Sequence, residues 1–505
     1  MTLALIPQPR TVRELPGVFR LTQDTAIAAP GLSGEALRVA GYLADSLRRP
    51  TGLPLPVGET GAVLLALDPA VADGSDDAPE DGGAGADEAY TLSVTAEAVT
   101  LRAATAAGLF RGVQTLRQLL PAAVERSGPD AQSDWTVPCV EIADRPRFGY
   151  RSAMLDVTRH FFPVADVKRL IDALAAYKFN ALHLHLSDDQ GWRIEIPSRP
   201  ELTARASGFQ VGEGHGGFYT VADYAELTAY AADRFVTVVP EVDVPGHTNA
   251  ALLAYPELAL DGFEATEYRG IEVGFSTLDP DNEATYAFLE DVFGDLAAMT
   301  PGPYLHLGGD EVDVLDKAQF ERFLRRAAAI AAGTGKTVIG WEEIVSTGAD
   351  EIVAQYWGRN HGQDTVEHGV SDEQFRDAVA KGTRAIVSPA AHSYLDMQYA
   401  PDSPFGLHWS GYVGVEQAYA WDPIEYLGGV GPERVLGIEA ALWTETVATM
   451  AEAEYLIFPR LPGHAEIAWS PAGRDWEAYR TRLAAHAVRW EAQGRSYFRA
   501  AEVWG

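Results

Sequence analysis

The 505-residue sequence has a single cysteine, Cys139, and this scarcity excludes an internal disulfide and any cysteine-rich metal site. We expect Cys139 to be a small buried apolar residue rather than a nucleophile. Long apolar runs are missing too. No stretch of about 18 apolar residues occurs, so the sequence predicts no transmembrane helix.

Basic residues are few: 39 Lys and Arg stand against 72 Asp and Glu, for a net charge of −33. Such a surface repels nucleic-acid phosphates and anionic lipids, so we predict no nucleic-acid or membrane partner and expect a neutral substrate. The first ten residues lack the basic segment and the apolar stretch of a secretory signal. We therefore expect a cytoplasmic protein, or a secreted one whose signal has been removed.

The chain up to about residue 145 has the pattern of a small α+β domain. Apolar stretches at residues 62–67, 90–94 and 99–103 predict strands. Residues 108–120 carry apolar side chains at helical spacing and predict a helix packed on that sheet. Residues 73–88 are acidic, rich in glycine and almost free of apolar side chains, which predicts a mobile surface loop. We place this first domain at residues 1–145.

From residue 146 onward, apolar strands alternate with amphipathic helices, the pattern typical of parallel βα units. The predicted strands are residues 152–157, 180–186, 235–239, 303–307, 337–341, 352–357, 384–388 and 436–443. Eight such units predict an α/β fold, a (β/α)8 TIM barrel over residues 146–505. Active sites in this fold lie at the carboxyl ends of the strands.

Two adjacent acids follow the fourth predicted strand, in the sequence Gly308-Gly309-Asp310-Glu311. Alternation along a strand would put these two carboxylates on opposite faces. The glycines permit backbone angles that other residues avoid, so the chain can leave the pleat and bring both acids together. The alternative is that the acids cap the following helix, whose exposed N–H groups favour negative charge.

Tryptophans also stand at the predicted carboxyl ends. Trp341, Trp357 and Trp443 end strands, and Trp409 lies in a late loop. Their flat faces suit the C–H faces of a sugar ring, while nearby carboxylates and an arginine suit its hydroxyls. This pattern predicts a carbohydrate pocket. The alternative is that these tryptophans are ordinary core or rim residues.

Glycoside cleavage usually uses two carboxyl groups that flank the scissile bond, about 5 Å apart or more. Neighbouring residues have Cα atoms only about 3.8 Å apart, so Asp310 and Glu311 are predicted to act on the same side of the scissile centre. The nucleophile must then come from elsewhere. A substrate with a 2-acetamido group supplies its own carbonyl oxygen.

These residues belong to motifs that resemble those of the β-N-acetylhexosaminidases of glycoside hydrolase family 20, and the similarity runs over nearly the whole chain. The motifs are, in order, Arg159-His160-Phe161, His183-Leu184-His185-Leu186-Ser187-Asp188-Asp189-Gln190-Gly191-Trp192, Pro245-Gly246-His247, His306-Leu307-Gly308-Gly309-Asp310-Glu311 and Leu442-Trp443-Thr444-Glu445. The resemblance implies exo-hydrolysis of terminal non-reducing β-linked N-acetylglucosamine or N-acetylgalactosamine with retention. The family is a known exception to the two-carboxylate rule, since its substrate assists through an oxazolinium intermediate.

The resemblance also implies a role for each matching residue. Glu311 would be the general acid and then the base, with its proton affinity raised by Asp310 and by burial among tryptophans. Asp310 would orient the acetamido group, and Tyr394 would donate its hydroxyl to the carbonyl oxygen. The resemblance further implies that Trp341, Trp357 and Trp443 wall the acetamido pocket. Arg159 and Glu445 would bind the 3- and 4-hydroxyls, and Asp396 and Trp409 would contact the 6-hydroxyl region. Asp188 and His247 would orient the catalytic pair, and His306 with Asp243 would form a supporting pair behind it.

Two other functions stay open at this stage. His183 and His185 share one face of the second strand, and a His-x-His pair on a barrel strand can bind a metal, which would make the protein a metal-dependent hydrolase. The alternative is that both histidines are ordinary barrel residues held by hydrogen bonds. A non-catalytic sugar-binding barrel is the third reading, which the intact acid pair disfavours. We expect a small-molecule glycan as partner and neither cofactor nor metal; the sequence leaves the oligomeric state open.

Overall fold

The computed structural model describes residues 3–73, 85–349, 351–358 and 370–505. Most of the loop predicted at residues 73–88 lies outside these ranges. Its last residues, Ala86–Glu88, form a 3-10 turn in which Glu88 is buried, so the prediction of an exposed loop is wrong at this end.

The first part of the chain forms a seven-stranded mixed sheet with helices packed on it. Its strands are β1 (Thr11–Arg20), β2 (Ile27–Ala28), β3 (Val57–Gly58), β4 (Val63–Leu67), β5 (Tyr90–Val94), β6 (Val99–Ala103) and β7 (Thr136–Asp144), in the order β1-β7-β5-β6-β4-β2-β3, and its helices are α1 (Gly34–Thr51), α2 (Ala70–Asp73) and α3 (Ala106–Leu119). The three predicted strands are β4 to β6 and the predicted helix is α3. Thr105 caps α3 by accepting the N–H of Gly108, which explains why the helix starts where it does. Cys139 is buried in β7, as predicted.

The second part forms a closed barrel of eight parallel strands, which confirms the predicted fold class. The strands of this part are β8 (Tyr150–Asp156), β9 (Ala181–His185), the short hairpin β10 (Ser187–Asp188) and β11 (Gly191–Trp192), β12 (Thr237–Glu241), β13 (Tyr304–His306), β14 (Thr337–Trp341), β15 (Val353–Tyr356), β16 (Arg384–Val387) and β17 (Val435–Leu442). All except the hairpin form the barrel, which closes between β17 and β8. The third predicted strand is shifted by two residues, because Phe235 adopts a φ of +53° in the turn before β12.

Helices surround the barrel and follow most of its strands. They are α4 (Val164–Ala176), α5 (Glu201–Ala206), α6 (Val221–Ala232), α7 (Asn249–Ala254), α8 (Glu283–Met299), α9 (Lys317–Gly333), α10 (Asp372–Lys381), α11 (Ala390–Ser393), α12 (Val415–Tyr419), α13 (Pro423–Tyr426), α14 (Met450–Ile457), α15 (Leu461–Trp469), α16 (Trp476–Ala492) and α17 (Ala501–Trp504). Within the described residues, none of these helices is both long and apolar enough to cross a membrane.

Buried ion pairs join the sheet to the amino ends of the first barrel strands. Glu88 Oε2 lies 2.6 Å from Arg111 Nε of α3 and 2.6 Å from Arg151 Nη2 of β8, and Lys178 Nζ lies 3.0 Å from Asp144 Oδ2. Burial alone would raise the pKa of Glu88, but the two arginines outweigh burial and lower it to about 2. The first domain thus docks at the amino end of the barrel and leaves the carboxyl-end rim uncovered by this contact.

The barrel interior changes character along its axis. A small apolar cluster fills the interior, formed by Tyr150, Ala181, Val239, Ile339, Val353 and Ile386. Charged and aromatic side chains replace it at the carboxyl ends of the strands. The barrel therefore has an apolar interior layer and a polar end.

Candidate active site

The backbone that carries the acid pair leaves the strand immediately after β13. Gly308 and Gly309 have φ angles of +71° and +108°, and Glu311 has +50°, so the chain turns through left-handed conformations as predicted. A Cβ on Gly308 would lie 1.7 Å from Asp243 Oδ1, and the N–H of Gly309 donates to that same oxygen at 2.9 Å. Both glycines thus let the turn pack directly on Asp243.

This turn brings the two carboxylates to one imidazole. His247 Nε2 lies 3.6 Å from Glu311 Oε2 and 3.9 Å from Asp310 Oδ2. The Asp310 side chain is 10% exposed and that of Glu311 is 23% exposed, so Glu311 stands nearer to solvent. The helix-capping alternative is wrong: α9 begins at Lys317, and Asp316 caps it.

Fixed charges surround His247. Its Nδ1 lies 3.2 Å from Asp188 Oδ1. Burial lowers the pKa of His247, but the carboxylates of Asp188, Asp243 and Asp310 outweigh burial and raise it well above its usual value. Burial and the adjacent Asp310 raise the pKa of Asp243 well above its usual value. The three carboxyl groups around His247 thus favour the protonated form of its imidazole.

Aromatic rings form a wall beside the acids. The ring of Trp341 lies 5.8 Å from that of Trp443, and the ring of Tyr394 lies 6.3 Å from Trp443 and 5.8 Å from Trp409. Trp341, Trp357 and Tyr394 are buried, Trp443 is half-buried and Trp409 is 53% exposed. The buried three belong to an apolar cluster that is separate from the main core. They therefore form an aromatic cluster of their own, with Trp409 at its exposed edge, and the reading of all four as ordinary core residues is not supported.

Charged groups lie beside Trp443 at the edge of this wall. Arg159 Nη2 lies 2.9 Å from Asp188 Oδ2, and the guanidinium carbon lies 5.0 Å from the ring centre of Trp443. Burial raises the pKa of Asp396, and the nearby Glu445 raises it further. Burial likewise raises the pKa of Glu445, although Arg159 opposes the shift.

Several polar atoms at this edge are buried without a hydrogen-bond partner among the residues that the structure describes. These atoms are Arg159 Nε, Asp310 Oδ1, Trp341 Nε1, Asp396 Oδ2 and Glu445 Oε2. Buried polar groups are normally paired, so a set of unpaired ones around one pocket indicates a polar ligand. Donors and acceptors of both kinds suit hydroxyl and amide groups of a sugar.

The structure does not favour His183 and His185 as metal ligands. Each ring nitrogen already faces a carboxylate: those of His183 lie 2.9 Å from Glu439 and 3.0 Å from Glu241, and those of His185 lie 2.5 Å from Glu241 and 2.8 Å from Asp188. Burial lowers both pKa values, but these carboxylates outweigh it and raise them to about 10 for His183 and about 9 for His185. Protonated imidazoles have no lone pair for a metal. Their atoms lie within the acid and histidine groups that are close enough to hold an ion, but their protons occupy the ligand positions.

One predicted pairing is corrected. His306 was expected to support the site with Asp243, but its Nδ1 lies 3.1 Å from Glu241 Oε1 and 3.0 Å from the backbone nitrogen of Gly308. The strand register explains this: Glu241 is aligned with His185 on one neighbouring strand and with His306 on the other. Asp243 lies beyond the strand end, with His247 and Asp310.

Sequence reasoning missed two buried acids, Glu241 and Glu439. The available signal was alternation: Glu241 stands two residues before Asp243, and Glu439 lies in an otherwise apolar strand. A charged residue in such a strand requires a buried partner.

The chain is similar to known proteins over nearly all of its length. Residues 148–472 match glycosyl hydrolase family 20, catalytic domain, and residues 2–145 match glycosyl hydrolase family 20, domain 2. A beta-N-acetylhexosaminidase of Cellulomonas fimi is 42% identical over 500 residues, which cover 97% of this chain and 95% of that protein.

Solved structures agree with this match. Streptomyces plicatus N-acetyl-beta-hexosaminidase in complex with Thio-NAglucal superposes with a TM-score of 0.92 at 47% identity, covering 99% of this chain and 97% of that one. The exo beta-N-acetylglucosaminidase from Vibrio harveyi, in complex with N-acetylglucosamine, gives 0.83 at 30% identity, covering 98% and 78%. From its barrel, its acid pair and these matches over both parts, we conclude that the chain belongs to glycosyl hydrolase family 20.

Proposed function

We propose that the protein is an exo-acting β-N-acetylhexosaminidase that removes terminal non-reducing β-linked N-acetylglucosamine or N-acetylgalactosamine with retention, through an oxazolinium intermediate. One observation carries this proposal: Asp310 and Glu311 both reach the same nitrogen of His247, so they act from one side and do not flank a bond between them. The relatives support the activity, since the Cellulomonas protein is a beta-N-acetylhexosaminidase and the Vibrio enzyme is exo-acting and was solved with N-acetylglucosamine.

In the first step, Glu311 donates its proton to the glycosidic oxygen. The bond from C1 to that oxygen breaks, and the carbonyl oxygen of the substrate's own acetamido group bonds to C1. Asp310 accepts the acetamido N–H and stabilises the positive charge of the oxazolinium ring. The buried hydroxyl of Tyr394 donates to the acetamido oxygen and orients it; burial and Asp310 raise the pKa of Tyr394, so this hydroxyl keeps its proton.

In the second step, Glu311 acts as a base and takes a proton from water, which bonds to C1 as the carbonyl oxygen leaves. Water enters on the face that the leaving group left, so two inversions give retention. The partly exposed position of the Glu311 side chain, at 23%, suits a group that must meet both the leaving group and water.

The pocket residues distribute over the sugar ring. Trp341, Trp357 and Trp443 would surround the acetamido methyl group, because they form the buried aromatic wall beside Asp310. The unpaired atoms of Arg159 and Glu445 would bind the 3- and 4-hydroxyls, and those of Asp396 the 6-hydroxyl, with Trp409 at the mouth.

The test compares two aryl β-glycosides that differ only at C2, one with an acetamido group and one with a hydroxyl. We expect hydrolysis of the first only, with the β-anomer released first as seen by proton NMR. Comparable hydrolysis of the 2-hydroxyl substrate, or release of the α-anomer, would refute the mechanism. Activity that disappears in EDTA and returns with a metal would instead support the metal-dependent alternative.

A further inference from the structure

Glu241 is a fully buried carboxylate for which the roles above have no use. It ends β12, is 0% exposed and contacts histidines from both neighbouring strands. Its Oε2 lies 2.5 Å from His185 Nδ1 and 3.0 Å from His183 Nε2, and its Oε1 lies 3.1 Å from His306 Nδ1. A buried carboxylate with this number of partners is costly to place, and its removal would take away one of the two carboxylates that each of His183 and His185 faces.

A series of contacts runs from Glu241 to the acid pair. His185 Nε2 lies 2.8 Å from Asp188 Oδ2, Asp188 Oδ1 lies 3.2 Å from His247 Nδ1, and His247 Nε2 lies 3.6 Å from Glu311 Oε2. Carboxylates and imidazoles alternate along this series. Hydrogen bonds orient the groups from Glu241 to His247, and charge attraction across 3.6 Å joins His247 to Glu311. Glu241, His185, Asp188 and His247 are all buried, and water cannot replace a lost contact easily.

Asp188 also connects this series of contacts to Arg159, a residue of the substrate pocket. The same Oδ2 that faces His185 also lies 2.9 Å from Arg159 Nη2. The orientation of the Asp188 carboxylate therefore depends on His185 on one side, and it fixes both Arg159 and His247 on the other.

We propose that Glu241 is a positioning residue for glycoside cleavage, which holds His185 against Asp188 and thereby keeps His247 aligned with Glu311. The inference rests on the proposed role of Glu311 as proton donor. Without the negative charge at position 241, His185 loses the counter-charge that fixes its Nδ1 side, and its Nε2–H is no longer held towards Asp188. A displacement of about 1 Å transmitted to Glu311 is enough to lower kcat about a hundredfold. The raised pKa of His185 agrees with a ring that donates from both nitrogens.

The test is Glu241→Gln, with Glu439→Gln as matched control. Glu439 is equally buried and pairs with His183 Nδ1 at 2.9 Å and with Gln355 Nε2 at 2.7 Å, but His183 and Glu241 both stand between it and His185. Each variant is assayed on N,N′-diacetylchitobiose, whose sugar leaving group needs a proton, and on the 2,4-dinitrophenyl N-acetyl-β-glucosaminide, whose leaving group does not. Thermal unfolding and circular dichroism establish that each variant is folded.

For Glu241→Gln we expect kcat on the chitobiose to fall about a hundredfold and kcat on the dinitrophenyl substrate to fall less than about tenfold, since only the first reaction depends on proton donation. Glu439→Gln should lower both by the same small factor. A variant Glu241→Asp, which keeps the charge, should recover part of the lost rate. Equal losses of Glu241→Gln on both substrates would overturn the inference and leave Glu241 a structural residue.

Two further variants keep the result decisive. If Glu241→Gln does not fold, His185→Gln breaks the same series one step closer to Asp188, and equal losses on the two substrates would again overturn the inference. Glu311→Gln is the reference for the proposed function, since it must itself show the leaving-group dependence. If Glu311→Gln lost the same rate on both substrates, the role of Glu311 would be refuted. If Glu311→Gln showed the leaving-group dependence and Glu241→Gln did not, only the inference about Glu241 would be refuted.

Discussion

The substitution Gly308→Ala should impair both folding and catalysis, and the structure gives the size of each effect. A Cβ at this position would lie 1.7 Å from Asp243 Oδ1, 2.1 Å from its Cγ and 2.7 Å from its Cα. Rotating the Asp243 side chain cannot relieve the contact with Cα, so the backbone at Gly308 or Asp243 must move. The φ of +71° also becomes strained once a side chain is present.

The strain and the overlap together are expected to lower the free energy of unfolding by about 2–5 kcal/mol, since a left-handed non-glycine residue costs about 1–2 kcal/mol and overpacking about 1–3 kcal/mol. A displacement of roughly 1 Å in the turn that carries Asp310 and Glu311 should lower kcat about a hundredfold, or about 2.7 kcal/mol in activation free energy. Urea unfolding measures the first quantity, and kcat on an aryl N-acetyl-β-glucosaminide measures the second at a temperature where the variant is folded.

Gly294→Ala is the matched control. Gly294 lies on the exposed side of α8, and a Cβ there meets nothing within 4 Å. The same added methyl group should therefore raise the free energy of unfolding by about 0.5–1 kcal/mol and leave kcat unchanged. If Gly308→Ala kept its stability and turned over within about threefold of the unsubstituted protein, the tight packing of the turn on Asp243 would be refuted.

Three further predictions concern the acid pair and the domain contact. Glu311→Gln should lose most hydrolysis of unactivated substrates, by a factor of about 10²–10⁴, with added azide or a better leaving group restoring part of it; near-normal turnover would contradict its role as proton donor. Asp310→Asn should lose nearly as much and should also weaken binding of a thiazoline analogue of the intermediate, measured as an inhibition constant; unchanged inhibition would contradict the contact with the acetamido group. Glu88→Gln should make stability less sensitive to acid. The pKa of Glu88 is lowered from 4.5 to about 2, so its ion pairs contribute about 3 kcal/mol to the free energy of unfolding above pH 4.5. This contribution is lost as the pH falls towards 2. Urea titrations at a series of pH values measure this contribution, and parallel curves for both proteins would show that Glu88 makes none.

The local pattern of the sequence was enough to predict the barrel and most of its strands. Buried parallel strands are short apolar runs, and the helices between them show helical spacing, so both can be recognised without knowing their neighbours. The acid pair was also recognisable, since the two glycines before Asp310 are needed locally for the turn. The strands that the prediction missed include β1, an exposed edge strand, and β2 and β3, which have two residues each. The prediction also missed β7, a nine-residue strand inside the sheet, although its buried residues largely alternate along the sequence.

The chain itself thus determined the fold class, the position of the acid pair after the fourth barrel strand and the tryptophans of the rim, because each depends on residues that are close in sequence. The tertiary structure decided which distant residues meet. The register of the barrel strands places Glu241 beside His185 and His306, so His306 pairs with Glu241 and not with Asp243. The contact between the two domains buries Glu88 against Arg151. Such pairings depend on how the strands align when the barrel closes, and no local pattern contains that alignment.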